Sequence, residues 1–242
     1  MIEFFELTGP LAFELDSRPF EAPADAEARA AWAEHCARHP GSFDGEILAL
    51  ANFDGARVVA RPARYRHWIH ERSQSESSPV RLRPLAVTAR MRTAGGEWVL
   101  AQRSPAAPQD GGLLELAPAG IHERASGAEP PALPLCQLEQ ELREELGVEP
   151  ACVRRATPRE LVTDHRTGVF DIVFDLELTL DADELRQRFE RRESREYVEL
   201  RLVDAPALPE LLAGTELAPV TRAILEKTLR ERGPQSRGGS GS

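Results

Sequence analysis

One segment of the chain, LEQELREELGV, combines a leucine period with four glutamates and then reaches a glycine. Residues three and four apart share one face of a helix. Leucines recur in and before this segment at spacings of three, four and four residues, at Leu135, Leu138, Leu142 and Leu146. Gly147 supplies the left-handed residue that commonly ends a helix. The pattern predicts an amphipathic helix whose leucines face the core, so the fold must provide a buried surface for them.

The glutamates of this helix lie on a different face from the leucines. Glu141 and Glu145 are four residues apart, and Glu144 sits beside them, so the three carboxylates are expected to share one surface patch. Like charges at this spacing repel by about a few tenths of a kcal/mol, whereas a divalent cation among carboxylates makes the cluster favourable. The other interpretation is a solvated face, in which glutamate is a good helix former and Glu139 pairs with Arg143. These residues alone leave both interpretations open.

The rest of the chain alternates strand patterns with a few helices. RPLAVTARM, WVLAQRS and EYVELRLVD are typical strands, and in DIVFDLELTL apolar residues alternate with mostly polar ones. That alternation predicts a strand with one buried face and one mostly wet face. The last helix pattern, LAPVTRAILEKTLRER, places Val220, Ile224, Leu225 and Leu229 on one side. One central and one terminal helix among these strands predict an α/β sandwich with a mixed sheet.

Polar breaks divide the chain into three parts. Residues 1–80 carry an alanine-rich helix and two strands flanking Asp54-Gly55, a hairpin turn signal, which predicts a small N-terminal α+β extension. Residues 81–232 hold the sandwich. Residues 233–242 are Gly/Ser-rich and predict a flexible tail outside the fold.

Composition argues against several classes of protein. The net charge is −10, whereas a broad nucleic-acid surface requires clustered positive charge. No segment has the length of a membrane span or the pattern of a signal peptide, so a soluble cytoplasmic protein is expected. The three cysteines show no CxxC spacing, so neither a disulfide framework nor a cysteine zinc site is expected.

The glutamate helix and the turn before it resemble the motif of the Nudix hydrolases. That family carries a glycine, a variable loop, and a helix with an arginine–glutamate pair, two adjacent glutamates and a final glycine–aliphatic pair. APAGIHE resembles the opening turn, with Gly120 as the motif glycine. QELREELGV matches the helix at Glu141, Leu142, Glu144, Glu145, Gly147 and Val148. The resemblance implies a Nudix-like α/β/α sandwich with a mixed sheet. Its Pro-Ala-Gly form is most similar to the branch that cleaves ADP-ribose and nucleotide sugars.

The resemblance also implies a magnesium or manganese site on this helix. Glu141, Glu144 and Glu145 would bind the metal ion, with the backbone carbonyl of Ala119 as a further ligand. The partner would be a small-molecule nucleoside diphosphate linked to another group, cut into a nucleoside monophosphate and a sugar phosphate. Residues 1–80 would shape the substrate site or a homodimer, as N-terminal strands do in some relatives.

Several residues are candidates for the remaining roles. The general base that takes the proton of the attacking water is Glu144 or Glu141, or a carboxylate of a later loop, where Glu193 and Glu196 stand. The candidates for substrate binding are Arg103, which ends a predicted strand, and Gly120.

Two departures from the motif weaken the implied metal site. Gln140 replaces the family arginine that holds the neighbouring glutamate, and glutamine donates a hydrogen bond without charge. The loop is longer, so the position of a family glutamate falls on Ser126, and neither Glu123 nor Glu129 fits the spacing. The alternative function is therefore a catalytically weakened Nudix-fold module that binds a nucleotide or a protein. A third interpretation is an ordinary α/β domain with an acidic surface helix.

Overall fold

The computed structural model describes residues 1–20, 25–74, 81–121 and 132–232. The strands are β1 Ile2–Glu6, β2 Ala12–Leu15, β3 Glu46–Phe53, β4 Arg57–Arg64, β5 Leu85–Arg92, β6 Trp98–Arg103, β7 Leu114–Leu116, β8 Ala119–Ile121, β9 Val153–Asp164, β10 Val169–Leu178 and β11 Tyr197–Val203. The helices are α1 Asp25–Arg38, α2 Tyr65–Ser73, α3 Leu133–Leu146, α4 Ala182–Arg191, α5 Leu208–Ala213 and α6 Pro219–Arg232. The predicted tail and the loop positions Glu123, Ser126 and Glu129 lie outside the described residues.

The strands form one large mixed sheet and one small sheet. The large sheet has the order β1-β9-β10-β5-β6-β11, with β7 paired to β6 and β8 paired to β5. Its central pair, β5 and β10, is parallel, and the other pairs are antiparallel. The small sheet has the order β2-β4-β3. The predicted α/β sandwich with a mixed sheet is therefore confirmed. Among the described residues, no helix is long and apolar enough to cross a membrane.

The large sheet is covered on both faces. On β10, Ile172 belongs to the core cluster that includes the leucines of α3, whereas Val173 packs in a second cluster with Ile224 of α6. The prediction that one face of this strand is mostly wet is wrong, because α6 covers that face and buries Val173 completely. Asp175 on the same face is half-buried, and it accepts a hydrogen bond from Arg90 Nε at 2.8 Å. The polar alternation therefore marks ion pairs under a helix rather than a solvated surface.

Helix α3 carries most of the predicted leucine stripe. Three of its leucines are fully buried: Leu138, Leu142 and Leu146. The prediction is wrong for Leu135, which is 40% exposed, and Leu133 is buried at the start of the helix instead. Gly147 ends the helix with a φ of 68°, and its N–H donates to the carbonyl of Arg143 at 3.1 Å. The cap is thus the left-handed one that the sequence predicts.

The N-terminal residues contribute to both sheets. The predicted helix is present as α1, and the predicted hairpin is present as β3 and β4. Strand β1 was not predicted: it lies in the large sheet, antiparallel to β9, with Phe4 opposite Val162. The Lys227 ammonium of α6 lies 4.9 Å from the centre of the Phe4 ring. The first strand is therefore part of the same layer as the strands of the sandwich.

Candidate active site

A cavity of about 710 Å³ lies where α3, the turn around β8 and the N-terminal helices α1 and α2 come together. Pockets of this size accommodate typical small-molecule ligands. Seven of the eight candidate site residues from the sequence line this cavity: Arg103, Ala119, Gly120, Glu141, Glu144, Glu145 and Glu196. Glu193, the second candidate from the later loop, is not among the lining residues. The structure therefore brings together residues that are up to 93 positions apart in the chain.

Glu145 is the most buried of the helix carboxylates. Its side chain is 2% exposed, so the expectation of one surface patch is wrong for this residue. The backbone N–H of Ala119 donates to Glu145 Oε2 at 3.1 Å, and Oε1 is buried without a hydrogen-bond partner. Burial raises the pKa of Glu145 well above its usual range, and the charges of Glu141 and Glu196 add to this effect. A buried carboxylate with one free oxygen is costly unless a cation or a proton compensates it.

Glu141 and Glu144 are held by neighbouring glutamines on the same helix. Gln137 Nε2 donates to Glu141 Oε1 at 2.6 Å, and Gln140 Nε2 donates to Glu144 Oε1 at 2.9 Å. Gln140 therefore makes a hydrogen bond that holds the neighbouring glutamate, although without the charge of an arginine. Glu144 is exposed, whereas Glu141 is half-buried. The three carboxylates thus occupy three different depths of the cavity wall.

The turn between β7 and β8 lies directly against these carboxylates. A Cβ atom added at Gly120 would overlap the carboxylate of Glu141, so the close approach requires a residue without a side chain. Ala119 orients Glu145 through its N–H. The backbone of Ala119 and Gly120 in β8 therefore lies directly against two carboxylates of the helix, Glu145 and Glu141.

Replacing Gly120 with alanine is expected to displace the Glu141 carboxylate and to weaken the binding of a divalent cation by about 10- to 100-fold. Stability should change little, because the displaced atoms belong to a flexible side chain. Gly95→Ala is the matched control, since its Cβ would overlap the carboxylate of Glu97 in a turn outside the cavity. Calorimetric titration with manganese and melting temperatures of both variants check this prediction. Equal manganese affinity of the two variants would contradict it.

Arg103 lies between two carboxylates. Its Nη1 donates to Glu115 Oε1 at 2.6 Å and its Nη2 donates to Glu196 Oε1 at 2.9 Å. The Tyr197 hydroxyl donates to the same Glu115 oxygen at 2.6 Å. Although burial opposes its charged form, the charges of Glu115, Tyr197 and Glu196 hold the pKa of Arg103 above its usual value. The guanidinium therefore positions two carboxylates of the cavity, instead of standing free for a phosphate.

Two acidic residues of the cavity were not predicted as site residues. Burial raises the pKa of Glu115, although Arg103 opposes the shift. Burial also raises the pKa of Asp171 to about 7, with Glu115 and Asp164 contributing. The sequence does carry a signal for Glu115, because a lone glutamate between Leu114 and Leu116 of a strand points away from the leucine face. Asp171 is the first acidic residue of the alternating strand, and the alternation predicts that its side chain is solvated.

Replacing Asp171 with asparagine is expected to remove part of the pH dependence of stability. The folded-state pKa of about 7 lies above the usual aspartate pKa of 3.8, so the native state binds more protons between these values and loses stability as pH rises through them. Asp171→Asn should therefore gain about 1 kcal/mol over the wild type between about pH 6 and about pH 8. Urea unfolding in EDTA measures this gain, with the exposed Glu149→Gln as control. Parallel pH profiles of wild type and Asp171→Asn would contradict the prediction.

The donor set of the cavity suits a hard divalent cation that a ligand helps to coordinate. Among the described residues, no group of three His, Cys, Asp or Glu side chains is arranged to hold a metal ion by itself. Magnesium, however, commonly uses one or two carboxylates and takes its other ligands from water and phosphate oxygens. The unpartnered Oε1 of Glu145 and the neighbouring Glu141 meet that requirement. These two residues fit a divalent cation better than Glu144, which is exposed beside Gln140.

The chain matches solved structures, but no protein-family model and no curated protein matches it. DR0079 from Deinococcus radiodurans superposes with a TM-score of 0.49 at 19% identity, covering 74% of this chain and 97% of that one. A NUDIX hydrolase from Nitrosomonas europaea gives a TM-score of 0.40 at 15% identity, covering 60% of this chain and 88% of that one.

A third match is a bifunctional NMN adenylyltransferase/ADP ribose pyrophosphatase from Francisella tularensis, solved with AMP and a manganese ion. It gives a TM-score of 0.44 at 13% identity and covers 68% of this chain and 46% of that one.

Proposed function

We propose that this protein is a Nudix-type pyrophosphatase, which uses a divalent metal ion to hydrolyse a nucleoside diphosphate linked to another group. The observation that carries the proposal is the buried Glu145 oxygen without a partner, which lies in a cavity of about 710 Å³ together with Glu141. A buried carboxylate oxygen of this kind is retained at a cost unless a ligand compensates it. The motif resemblance, the Pro-Ala-Gly turn and the acidic lining support the same function.

Glu141 and Glu145 are the residues that would hold the metal ion, with the carbonyl of Ala119 in the same turn. When bound, magnesium or manganese would neutralise phosphate charge and polarise phosphorus. The chain's own contribution is positioning: Ala119 N–H fixes Glu145, and Gln137 fixes Glu141. Glu144 would serve at the exposed side of the same site, oriented by Gln140.

Glu196 is the proposed general base. It lines the cavity, and Arg103 holds its carboxylate at 2.9 Å. A water oxygen would attack one phosphorus, the bond from that phosphorus to the bridging oxygen would break, and Glu196 would take the proton of the water. Glu144 is the alternative base, because Glu141 is already engaged by Gln137 and packed against Gly120.

The proposed substrates are ADP-ribose and nucleotide sugars, and the products would be a nucleoside monophosphate and a sugar phosphate. The N-terminal extension, residues 1–80, would form one wall of the substrate cavity, and residues 81–232 would form the hydrolase domain. His35 of α1 and Tyr65 of α2 are among the residues that line the cavity from the extension. We further propose a cytoplasmic location and a homodimeric assembly.

A substrate panel tests the proposed function. The protein is incubated with magnesium and ADP-ribose, UDP-glucose, dinucleoside polyphosphates or nucleoside triphosphates, and products are separated by ion-exchange chromatography. Turnover of ADP-ribose or UDP-glucose that stops in EDTA is expected. Absence of both turnover and magnesium uptake at millimolar concentrations would overturn the proposal.

The second candidate function is a nucleotide-binding module without turnover. It is favoured by the lack, among the described residues, of three side chains arranged as a complete metal site, and by Gln140 in place of the family arginine. Calorimetry on the same panel distinguishes the two functions. Nucleotide binding without product formation would establish the module and exclude the hydrolase.

A further inference from the structure

Arg72 is a cavity residue that the motif does not include. It lies on α2 of the N-terminal extension and lines the same cavity as the glutamates of α3. Its guanidinium carbon lies 4.9 Å from the centre of the Trp68 ring, within the range of a cation–π contact. Trp68 is itself 2% exposed, and its Nε1 donates to the carbonyl of Thr167 at 2.8 Å, so the ring is fixed. Arg72 therefore rests on a rigid aromatic base, while the edge of its guanidinium keeps its donors.

The other cavity arginines already have carboxylate partners. Arg103 is paired with Glu115 and Glu196, and Arg38 is paired with Glu34. Among the described residues, no carboxylate lies within ion-pair distance of the Arg72 guanidinium, which is half-buried. Arg72 is thus the arginine of the described cavity lining whose charge is available to a ligand.

The surroundings of Arg72 make an unmatched charge costly. Burial lowers the pKa of its guanidinium, and the charges of Tyr65, Asp110 and Asp164 offset this effect only in part. Burial also raises the pKa of Tyr65, and the charges of Arg72, Arg103 and Glu196 act on the same hydroxyl. The Tyr65 hydroxyl therefore lies within reach of the charges of Arg72, Arg103 and Glu196. An anion bound at this point would be held by a group that loses little entropy and little hydration.

We propose that Arg72 binds a phosphate oxygen of the substrate and is the residue through which the N-terminal extension recognises the diphosphate. This inference rests on the proposed function for the identity of the anion. The cavity lining is strongly acidic, so a diphosphate needs positive charge besides the metal ion to enter it. A guanidinium can meet a phosphate with two parallel hydrogen bonds, which a point charge cannot do. Arg72 would therefore set affinity, while the glutamates of α3 would set the chemical step.

Calorimetric binding of α,β-methylene-ADP, a diphosphate nucleotide that cannot be cleaved at this bridge, tests the inference in magnesium. Arg72→Gln is expected to raise the dissociation constant by about 10- to 100-fold, since a hydrogen bond to a charged group is lost. Arg72→Lys should lose less, because it keeps the charge but not the paired hydrogen bonds. Arg29→Gln, at an arginine outside the cavity that already pairs with Asp25, should bind within about twofold of the wild type. Melting temperatures establish that each variant folds.

Kinetics provide a second readout. Arg72→Gln should raise KM for ADP-ribose with kcat close to the wild-type value, the pattern of lost binding in both ground and transition states. Wild-type-like affinity in Arg72→Gln, or no binding of the methylene analogue by the wild type at millimolar concentrations, would overturn the inference. If Arg72→Gln binds the analogue more weakly and the wild type turns over no substrate, the Arg72 site is supported and the hydrolase function is not. If Arg72→Gln is active with the wild-type KM and affinity, the hydrolase function is supported and the Arg72 site is not. Arg72→Lys decides the question by the same measures if the glutamine variant fails to fold.

Discussion

Replacing Glu145 with glutamine is expected to lower metal-dependent hydrolysis by about a thousandfold while the protein stays folded. The loss follows because the amide cannot supply the charge that holds a divalent cation, an interaction worth several kcal/mol in the transition state. The melting temperature should stay constant or rise, since the Glu145 carboxylate is 2% exposed with one oxygen unpartnered, and the amide carries no charge. Initial rates with ADP-ribose and magnesium, together with thermal unfolding in EDTA, measure both effects.

The matched control for this variant is Glu139→Gln. Glu139 lies on the same helix but outside the cavity, so the substitution makes the same chemical change without touching the site. We expect its activity to lie within about twofold of the wild type, in line with other surface substitutions. If both variants lose activity equally, the loss reflects the total negative charge of the helix and not a specific metal ligand at Glu145. If Glu145→Gln hydrolyses substrate at the wild-type rate, Glu145 binds no essential metal ion.

Replacing Arg103 with methionine is expected to destabilise the fold by about 3 kcal/mol. The side chains of Arg103 and Glu115 are 15% and 13% exposed, so removing the guanidinium leaves a buried carboxylate without its cation. For a domain of this size the melting temperature should fall by about 6 to 12 °C. Urea unfolding in EDTA at about pH 8 measures the change in the free energy of unfolding.

A double variant separates charge from packing in this result. Adding Glu115→Gln to Arg103→Met removes the stranded carboxylate, and we expect it to restore more than half of the lost stability. Tyr197, which donates to Glu115 Oε1, can donate to the amide oxygen in the same way. If the double variant is no more stable than Arg103→Met, the loss comes from packing around the arginine stem, and the ion pair contributes nothing.

The sequence predicts the local parts of the site well because they are encoded in one short segment. The helix period, its glycine cap and the preceding turn all lie between residues 117 and 148, and their geometry follows from spacing alone. The same segment predicts which faces of α3 meet the core, except at Leu135, which is exposed while Leu133 of the same turn is buried. Local period therefore gives the orientation of side chains around the helix axis.

Burial of the site could not be predicted in this way. Glu145 is buried because β8 and residues far away in the chain close over it, and the helix sequence contains no record of those neighbours. The same reason accounts for Asp171, whose strand face is covered by elements remote in sequence. The position of Glu196 beside Arg103 depends on a strand pairing across 93 residues. Long-range pairing, which periodicity does not encode, decides which of the many glutamates enter the cavity.

The pairing of β1 with β9 has a consequence for any fragment of this protein that lacks the N-terminal residues. In a fragment beginning near residue 81, β9 would be an edge strand whose unpaired backbone groups could pair with other chains. Strand β1 thus protects the β9 edge of the large sheet from pairing with other chains. A division at this junction would leave an incomplete sheet, so both regions are expected to be needed for a stably folded protein.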